Sequence, residues 1–245
     1  MNNNNAFTYE YEVRAYEADV TGKAALPALC RYLEDAAGRN AVELGFGMAE
    51  LSQKNCTWVL SRLHFEITRR PPMNRPVTVQ TWPAGTDRLF ALREFRLFDE
   101  EENFLMSASS AWMILDLERR RPLRPLPFFE NITLPRMEEE PLVPEKLDPP
   151  GNREKCGSLT VPFSSLDINN HVNNVAYLNW ALDSLRQGFL QKNRIIRGDI
   201  NYLAETFQGD NLDIYQSEPE EGVIFLTLLR GETEICHIRL GYVPR

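Results

Sequence analysis

The chain has 245 residues, 43% of them apolar and 25% charged, ordinary proportions for a globular protein with a sizeable core. Its net charge of −8 argues against broad, non-specific nucleic-acid binding. The start, Met1 followed by Asn2, Asn3, Asn4 and Asn5, lacks the basic and apolar stretches of a signal peptide. No apolar run approaches the roughly 20 residues that span a bilayer. A soluble, cytoplasmic protein with no membrane insertion is therefore expected. The charge is uneven: residues 1–135 carry 16 Lys/Arg against 18 Asp/Glu, and residues 136–245 carry 11 against 17. An acidic partner would meet the first half. Cys30, Cys56, Cys156 and Cys236 make no CxxC pair, so no zinc or redox motif is present. Cys30 and Cys236 lie among apolar neighbours and read as small buried hydrophobes.

Residues 8–14 alternate Tyr9, Tyr11, Val13 with Glu10, Glu12, Arg14, the period of a strand. A helix follows over about 26–44, with Leu26, Leu29, Leu33, Ala36, Ala37 and Leu44 at helical spacing, Pro27 in the first turn and Gly45 as the stop. Strands are predicted over 57–67, 77–82, 90–98 and 104–115, with a polar hairpin loop at 99–103. The stretch 122–150 holds eight of the sixteen prolines, including Pro135, and the charge run Glu138, Glu139, Glu140. It reads as a surface linker rather than a regular helix or central strand. A strand at about 158–161 precedes a helix over about 174–190, striped by Val175, Leu178, Leu182, Leu185 and Phe189. Strands over 197–204, 212–216, 223–230 and 234–243 complete the chain.

The order repeats. An offset of 148 lays Asp19 on Asp167, Leu29 on Tyr177 and Tyr32 on Trp180; an offset of 135 lays Asn74, Arg75, Pro76 and Val77 on Gly209, Asp210, Asn211 and Leu212. Each copy is one helix followed by antiparallel strands, an α+β pattern. The expected fold is a tandem double hotdog, each part a long central helix wrapped by a curved antiparallel sheet. The expected boundaries are 1–121 for a non-catalytic N-terminal copy, 122–156 for the linker and 157–245 for the catalytic copy.

Only three histidines exist. His64 and His237 sit in strand patterns and read as structural. His171 lies among Asp167, Ile168, Asn169, Asn170, Val172, Asn173 and Asn174, just before a helix. An Asx-rich turn with Asn173 or Asn174 as N-cap explains the later asparagines. It does not explain Asp167, Asn169 and His171 at alternate positions, which in an extended segment would point one way. Helix N-terminal N–H groups can hold an oxyanion, Asn169 can donate its amide, and His171 with Asp167 can tune a nucleophile or water. Glu205 ends an apolar stretch, where partial burial could make it a base; a strand-end surface carboxylate is the alternative. The aligned residues of the first copy are Thr21, Lys23 and Arg70 in place of Asn169, His171 and Glu205, with only Asp19 retained. One active site per chain is expected. No nucleophile elbow, P-loop or G-x-G-x-x-G is present. Arg119, Arg120, Arg121 and Arg124, with Arg69, Arg70 and Arg75, form either a solvated face or a docking patch for an acidic carrier.

These residues resemble the acyl-acyl-carrier-protein (acyl-ACP) thioesterases of bacteria and plants. The likeness rests on Asp167, Asn169, His171, Val172, Asn173, Asn174, Tyr177 and Trp180, and on Tyr202 with Glu205. In the first half it rests on Gly45, Phe46, Gly47, on Trp58, Val59, Leu60, and on Ala108, Ser109, Ser110, Ala111, Trp112. It covers roughly residues 8–243. It implies hydrolysis of acyl-ACP to free fatty acid and holo-ACP, without metal or cofactor. It assigns catalysis to Asp167, Asn169, His171 and Glu205. It also implies an acyl channel in the first copy, for which Leu29, Leu33, Trp58 and Leu60 are candidates, and carrier docking, for which Arg69, Arg70, Arg119 and Arg120 are candidates. An older family proposal places a cysteine nucleophile beside the glutamate. Thr206 stands there, so that triad cannot operate at this place. An acyl-CoA thioesterase or a non-catalytic acyl-binding protein of the same fold are the alternatives, and a homodimer stays open.

Overall fold

The computed structural model describes residues 6–129 and 140–245. Met1, the asparagines up to Asn5, Pro135, Glu138 and Glu139 lie outside the described residues. The chain divides into two compact units, Met1–Pro144 and Glu145–Arg245.

The first unit contains β1 (Phe7–Glu12), α1 (Leu26–Glu43), α2 (Met48–Ser52), β2 (Cys56–Ile67), β3 (Pro76–Asp87), β4 (Phe90–Asp99), β5 (Phe104–Asp116), β6 (Arg121–Leu123) and α3 (Leu126–Phe129). Its strands lie in the order β1, β3, β4, β5, β2, each pair antiparallel, with β6 on the far end of β5. Helix α1 starts with Pro27 in its first turn and turns at Leu44 before Gly45, which adopts φ +79°. Its buried Leu29, Leu33, Ala36 and Ala37 face the sheet, where Val77, Val79, Phe95 and Leu97 are buried as well. Register shifts after Leu60 in β2 and after Pro83 in β3 mark bulges, which bend strands and sharpen twist around a helix. Pro122 is accommodated because β6 pairs on one side only.

The second unit contains β7 (Glu154–Thr160), α4 (Asn174–Asp183), α5 (Phe189–Lys192), β8 (Asn193–Tyr202), β9 (Asn211–Glu220), β10 (Val223–Arg230) and β11 (Thr233–Pro244). The order is β8, β11, β10, β9, β7, again antiparallel. Helix α4 is shorter than the apolar stripe predicts. Ser184 returns its hydroxyl to the Ala181 carbonyl at 2.8 Å, and Gly188 turns at φ +80° before α5. Leu185 and Phe189 are still buried, so the stripe continues after the helix has ended. Strand β10 is buried at six of its eight positions, as expected when both faces are covered. Each unit is thus a helix packed on an antiparallel sheet, and the fold is α+β of the tandem hotdog type. Among the described residues no helix is long and apolar enough to cross a membrane.

His64 and His237 are both buried strand residues. His237 sets Nδ1 3.2 Å from the Leu147 carbonyl, and Asn201 accepts from Leu147 N–H at 2.7 Å while donating to the Glu145 carbonyl at 3.0 Å. Asn201 is 2% exposed, so its loss strands two backbone groups. Asn201→Ala is expected to destabilise the protein by about 1–3 kcal/mol, read as a lower urea midpoint at an unchanged slope.

Candidate active site

Residues 166–172 form a closed loop, not the extended segment that the alternation of Asp167, Asn169 and His171 suggested. Leu166 and Val172 pair as an antiparallel bridge. Asp167 N–H donates to the His171 carbonyl at 2.8 Å, and Asn170 N–H to the Asp167 carbonyl at 3.1 Å. Asn170 takes φ +62°, a left-handed conformation that asparagine tolerates. The alternation therefore reflects turn chemistry. The Asp167 carboxylate accepts from the backbone N–H of Asn169 at 2.8 Å and of His171 at 3.2 Å, and from the Asn169 amide at 3.4 Å. Asp167 thus grips the backbone of His171. Asn173 caps α4, its side chain accepting from Val175 N–H at 2.9 Å. Ala176 N–H goes to the Asn173 carbonyl, so two first-turn donors of this helix are already engaged.

Glu205 comes from the segment that leaves β8. Leu203 and Ala204 still donate to the Ile235 carbonyl; then the chain crosses to the loop. The Thr206 carbonyl accepts from Val172 N–H at 3.2 Å, and the Thr206 and Tyr177 hydroxyls bond at 2.6 Å, both buried. Burial pushes the Tyr177 phenol up to about 12, so it stays neutral. Arg230, at the end of β10, donates to Asp210 at 2.5 Å and to the Glu205 carbonyl at 3.3 Å, and Asp210 accepts from Phe207 N–H at 3.0 Å. Burial alone would push the Asp210 carboxyl up; the Phe207 N–H and the Arg230 guanidinium outweigh it and hold it below the usual carboxylate range. These contacts bring His171 Nδ1 and Glu205 Oε1 to 3.8 Å, with side chains 39% and 30% exposed. The His171 ring meets Phe207 edge-on at 5.3 Å. Asn169 is exposed at the loop surface. A titratable pair open to solvent, beside an amide donor and a helix N-terminus, is suited to moving a proton at a carbonyl.

The corresponding place in the first unit has the same backbone. Ala18 pairs with Ala24, Asp19 N–H donates to the Lys23 carbonyl at 2.8 Å, and the Asp19 carboxylate accepts from Thr21 N–H at 2.8 Å. Gly22 takes φ +70° where Asn170 stands in the second unit. Ala24 N–H donates to the Pro71 carbonyl at 2.9 Å, as Val172 does to Thr206. In place of the histidine–glutamate pair, Arg70 donates to Asp19 at 2.6 Å and to the Ala24 carbonyl at 2.9 Å.

Of the other candidates, Leu29, Leu33 and Leu60 are buried. Trp58 is partly exposed, donates to the Phe46 carbonyl at 2.8 Å and packs against Phe46 and Phe129. Arg69 pairs with Asp99, and Arg70 is committed to Asp19. Arg119 and Arg120 are exposed in the turn between β5 and β6. Phe207, Asp210 and Arg230 escaped the sequence reading. Asp210 was aligned only as part of the repeat, and Arg230 lies 25 residues from the glutamate whose carbonyl it holds, with no local pattern to mark it.

Comparison with known proteins matches residues 4–128 to the acyl-ACP thioesterase N-terminal domain and residues 150–242 to the acyl-ACP thioesterase C-terminal domain. The chain is 29% identical to a palmitoyl-acyl carrier protein thioesterase of Gossypium hirsutum over 81% of its own length and 52% of that protein. It is 24% identical to a dodecanoyl-[acyl-carrier-protein] hydrolase of Cinnamomum camphora over 98% of its own length and 68% of that protein. The chain thus spans only about half to two thirds of these curated relatives. The crystal structure of an acyl-ACP thioesterase from Bacteroides thetaiotaomicron superposes with a TM-score of 0.86 at 29% identity, covering 98% of both chains. A 12:0-ACP thioesterase from Umbellularia californica, 20% identical over 98% of both chains, shares the fold at a TM-score of 0.80. With both domain models matched along most of its length, the chain belongs to the acyl-ACP thioesterase family.

Proposed function

We propose that the protein hydrolyses the thioester of fatty acyl-ACP, releasing free fatty acid and holo-ACP. The observation that carries this reading is the His171–Glu205 pair at 3.8 Å, half-exposed beside the start of α4. Family membership and the names of the relatives support it. In the mechanism, Glu205 takes a proton from water as the water oxygen attacks the thioester carbonyl carbon. The C–S bond then breaks and the sulfur leaves as the thiol with that proton. Direct attack by the Glu205 carboxylate, followed by hydrolysis of the resulting anhydride, gives the same products. His171 orients and tunes Glu205. The 3.8 Å separation is longer than a hydrogen bond, and such contacts commonly tighten when substrate binds. The Asn169 amide donates to the developing oxyanion. Asp167 acts by holding the backbone of Asn169 and His171.

The acyl chain is assigned to the first unit, lined by Leu29, Leu33, Trp58 and Leu60. Carrier docking is assigned chiefly to Arg119 and Arg120, whose side chains stand exposed in the turn between β5 and β6. The competing reading, an acyl-CoA thioesterase, predicts no dependence on a carrier surface. The test is thiol release measured over matched acyl-ACPs and acyl-CoAs of varied chain length; a kcat/KM that favours CoA would overturn the carrier assignment.

Glu205→Gln is expected to lower kcat for acyl-ACP by about 100-fold or more while the urea midpoint stays near that of the wild type. A folded variant that turns over normally would remove Glu205 from the chemistry. Arg119→Glu combined with Arg120→Glu is expected to raise KM for acyl-ACP and flatten its salt dependence. Hydrolysis of acyl-CoA by the same variant serves as the internal control and should hold steady.

A further inference from the structure

We infer that the buried hydrogen bond between the Tyr177 and Thr206 hydroxyls, 2.6 Å long, is a positioning device that fixes Glu205 against His171; this rests on the hydrolase reading above. Thr206 follows Glu205 in the chain, and Val172 follows His171. The Val172 N–H to Thr206 carbonyl bond, 3.2 Å, therefore links the neighbours of the two reactive residues. Taken alone, that backbone bond would let Thr206 pivot about it. The hydroxyl bond ties the same residue to the first turn of α4 at a second point, and two points restrain the swing. Tyr177 is itself held, its ring edge-on to Trp180 at 5.4 Å and to Tyr202 at 6.0 Å.

The first unit separates this role from a purely structural one. It makes the same junction with the Ala24 N–H to Pro71 carbonyl bond, 2.9 Å. Leu29 stands where Tyr177 stands, and Pro71 where Thr206 stands. Neither has a hydroxyl, and the loop closes all the same. The fold at this junction is met by apolar side chains, and burying two hydroxyls instead costs desolvation that only a well-made bond offsets. The hydroxyl pair accompanies the histidine and glutamate, and the unit that lacks them lacks it. Arg230 and Asp210 complete the restraint from the far side, one on the Glu205 carbonyl and the other on Phe207 N–H.

The test uses the full chain with Thr206→Val, which keeps the shape and removes the hydroxyl, together with Thr206→Ser, Tyr177→Phe and the double variant Tyr177→Phe/Thr206→Val. Thr206→Val is expected to lower kcat for acyl-ACP about 10- to 100-fold, the scale of an ångström-level misplacement. KM should stay within about twofold, since a positioning loss falls on turnover rather than binding. Thr206→Ser should restore most of the rate, and the double variant should be no slower than the worse single. Independently of activity, the NMR signals of the His171 imidazole should move in Thr206→Val as they do in Glu205→Gln, and stay put in Thr206→Ser. Wild-type kcat in Thr206→Val, additive losses, or an unmoved imidazole would each overturn the inference. A wild-type chain that releases no thiol from any acyl-ACP would instead overturn the hydrolase reading, and the imidazole signals would still decide the positioning role.

Discussion

Asp167 gives its carboxylate to the N–H groups of Asn169 and His171, and Val172 gives its N–H to the Thr206 carbonyl. The first contact shapes the loop that carries the histidine. The second docks onto that loop the segment that carries the glutamate. The first is a side-chain-to-main-chain contact and the second a main-chain one, and both fix the backbone from which the histidine and the glutamate project. The site follows from a small frame of hydrogen bonds to the backbone in which His171 and Glu205 are placed by their neighbours, and the sheet and helix of the second unit hold that frame.

The role of Asp167 is sharpened by its counterpart. Asp19 makes the same backbone contact to Thr21 in a unit without the histidine–glutamate pair. An aspartate kept where there is no such chemistry serves the loop. In the proposed hydrolysis, its contribution passes through the positions of Asn169 and His171. Asn170 and Gly22 meet the same demand for positive φ at the same point of the loop with different residue types.

Much of this was readable in the sequence. Strand β10 covers the predicted 223–230, and α1 differs by one residue at its end. The offset of 148 aligns two loops that share their closing backbone bonds, because the spacing between an Asx turn and the helix it precedes is set by geometry. The illegible parts have physical reasons. Helix α4 ends early because Ser184 and Gly188 stop it while the apolar stripe continues through Leu185 and Phe189. The alternating Asp167, Asn169 and His171 belong to a turn, since nothing in a polar run distinguishes an extended strand from a chain of side-chain-to-backbone bonds. Arg230 acts across the sheet, and no local pattern encodes a contact made at that distance along the chain.

The ion pair between Arg70 and Asp19 limits what the first unit can tolerate at this place. Arg70 is 15% exposed and also satisfies the Ala24 carbonyl. Replacing it with glutamate would set a carboxylate beside the half-buried Asp19 carboxylate and leave that carbonyl without this donor, a like-charge clash that destabilises the loop. The pair works as a lock: the place that His171 and Glu205 take in the second unit is held in the first by a fixed ion pair, and exchanging Arg70 alone costs stability.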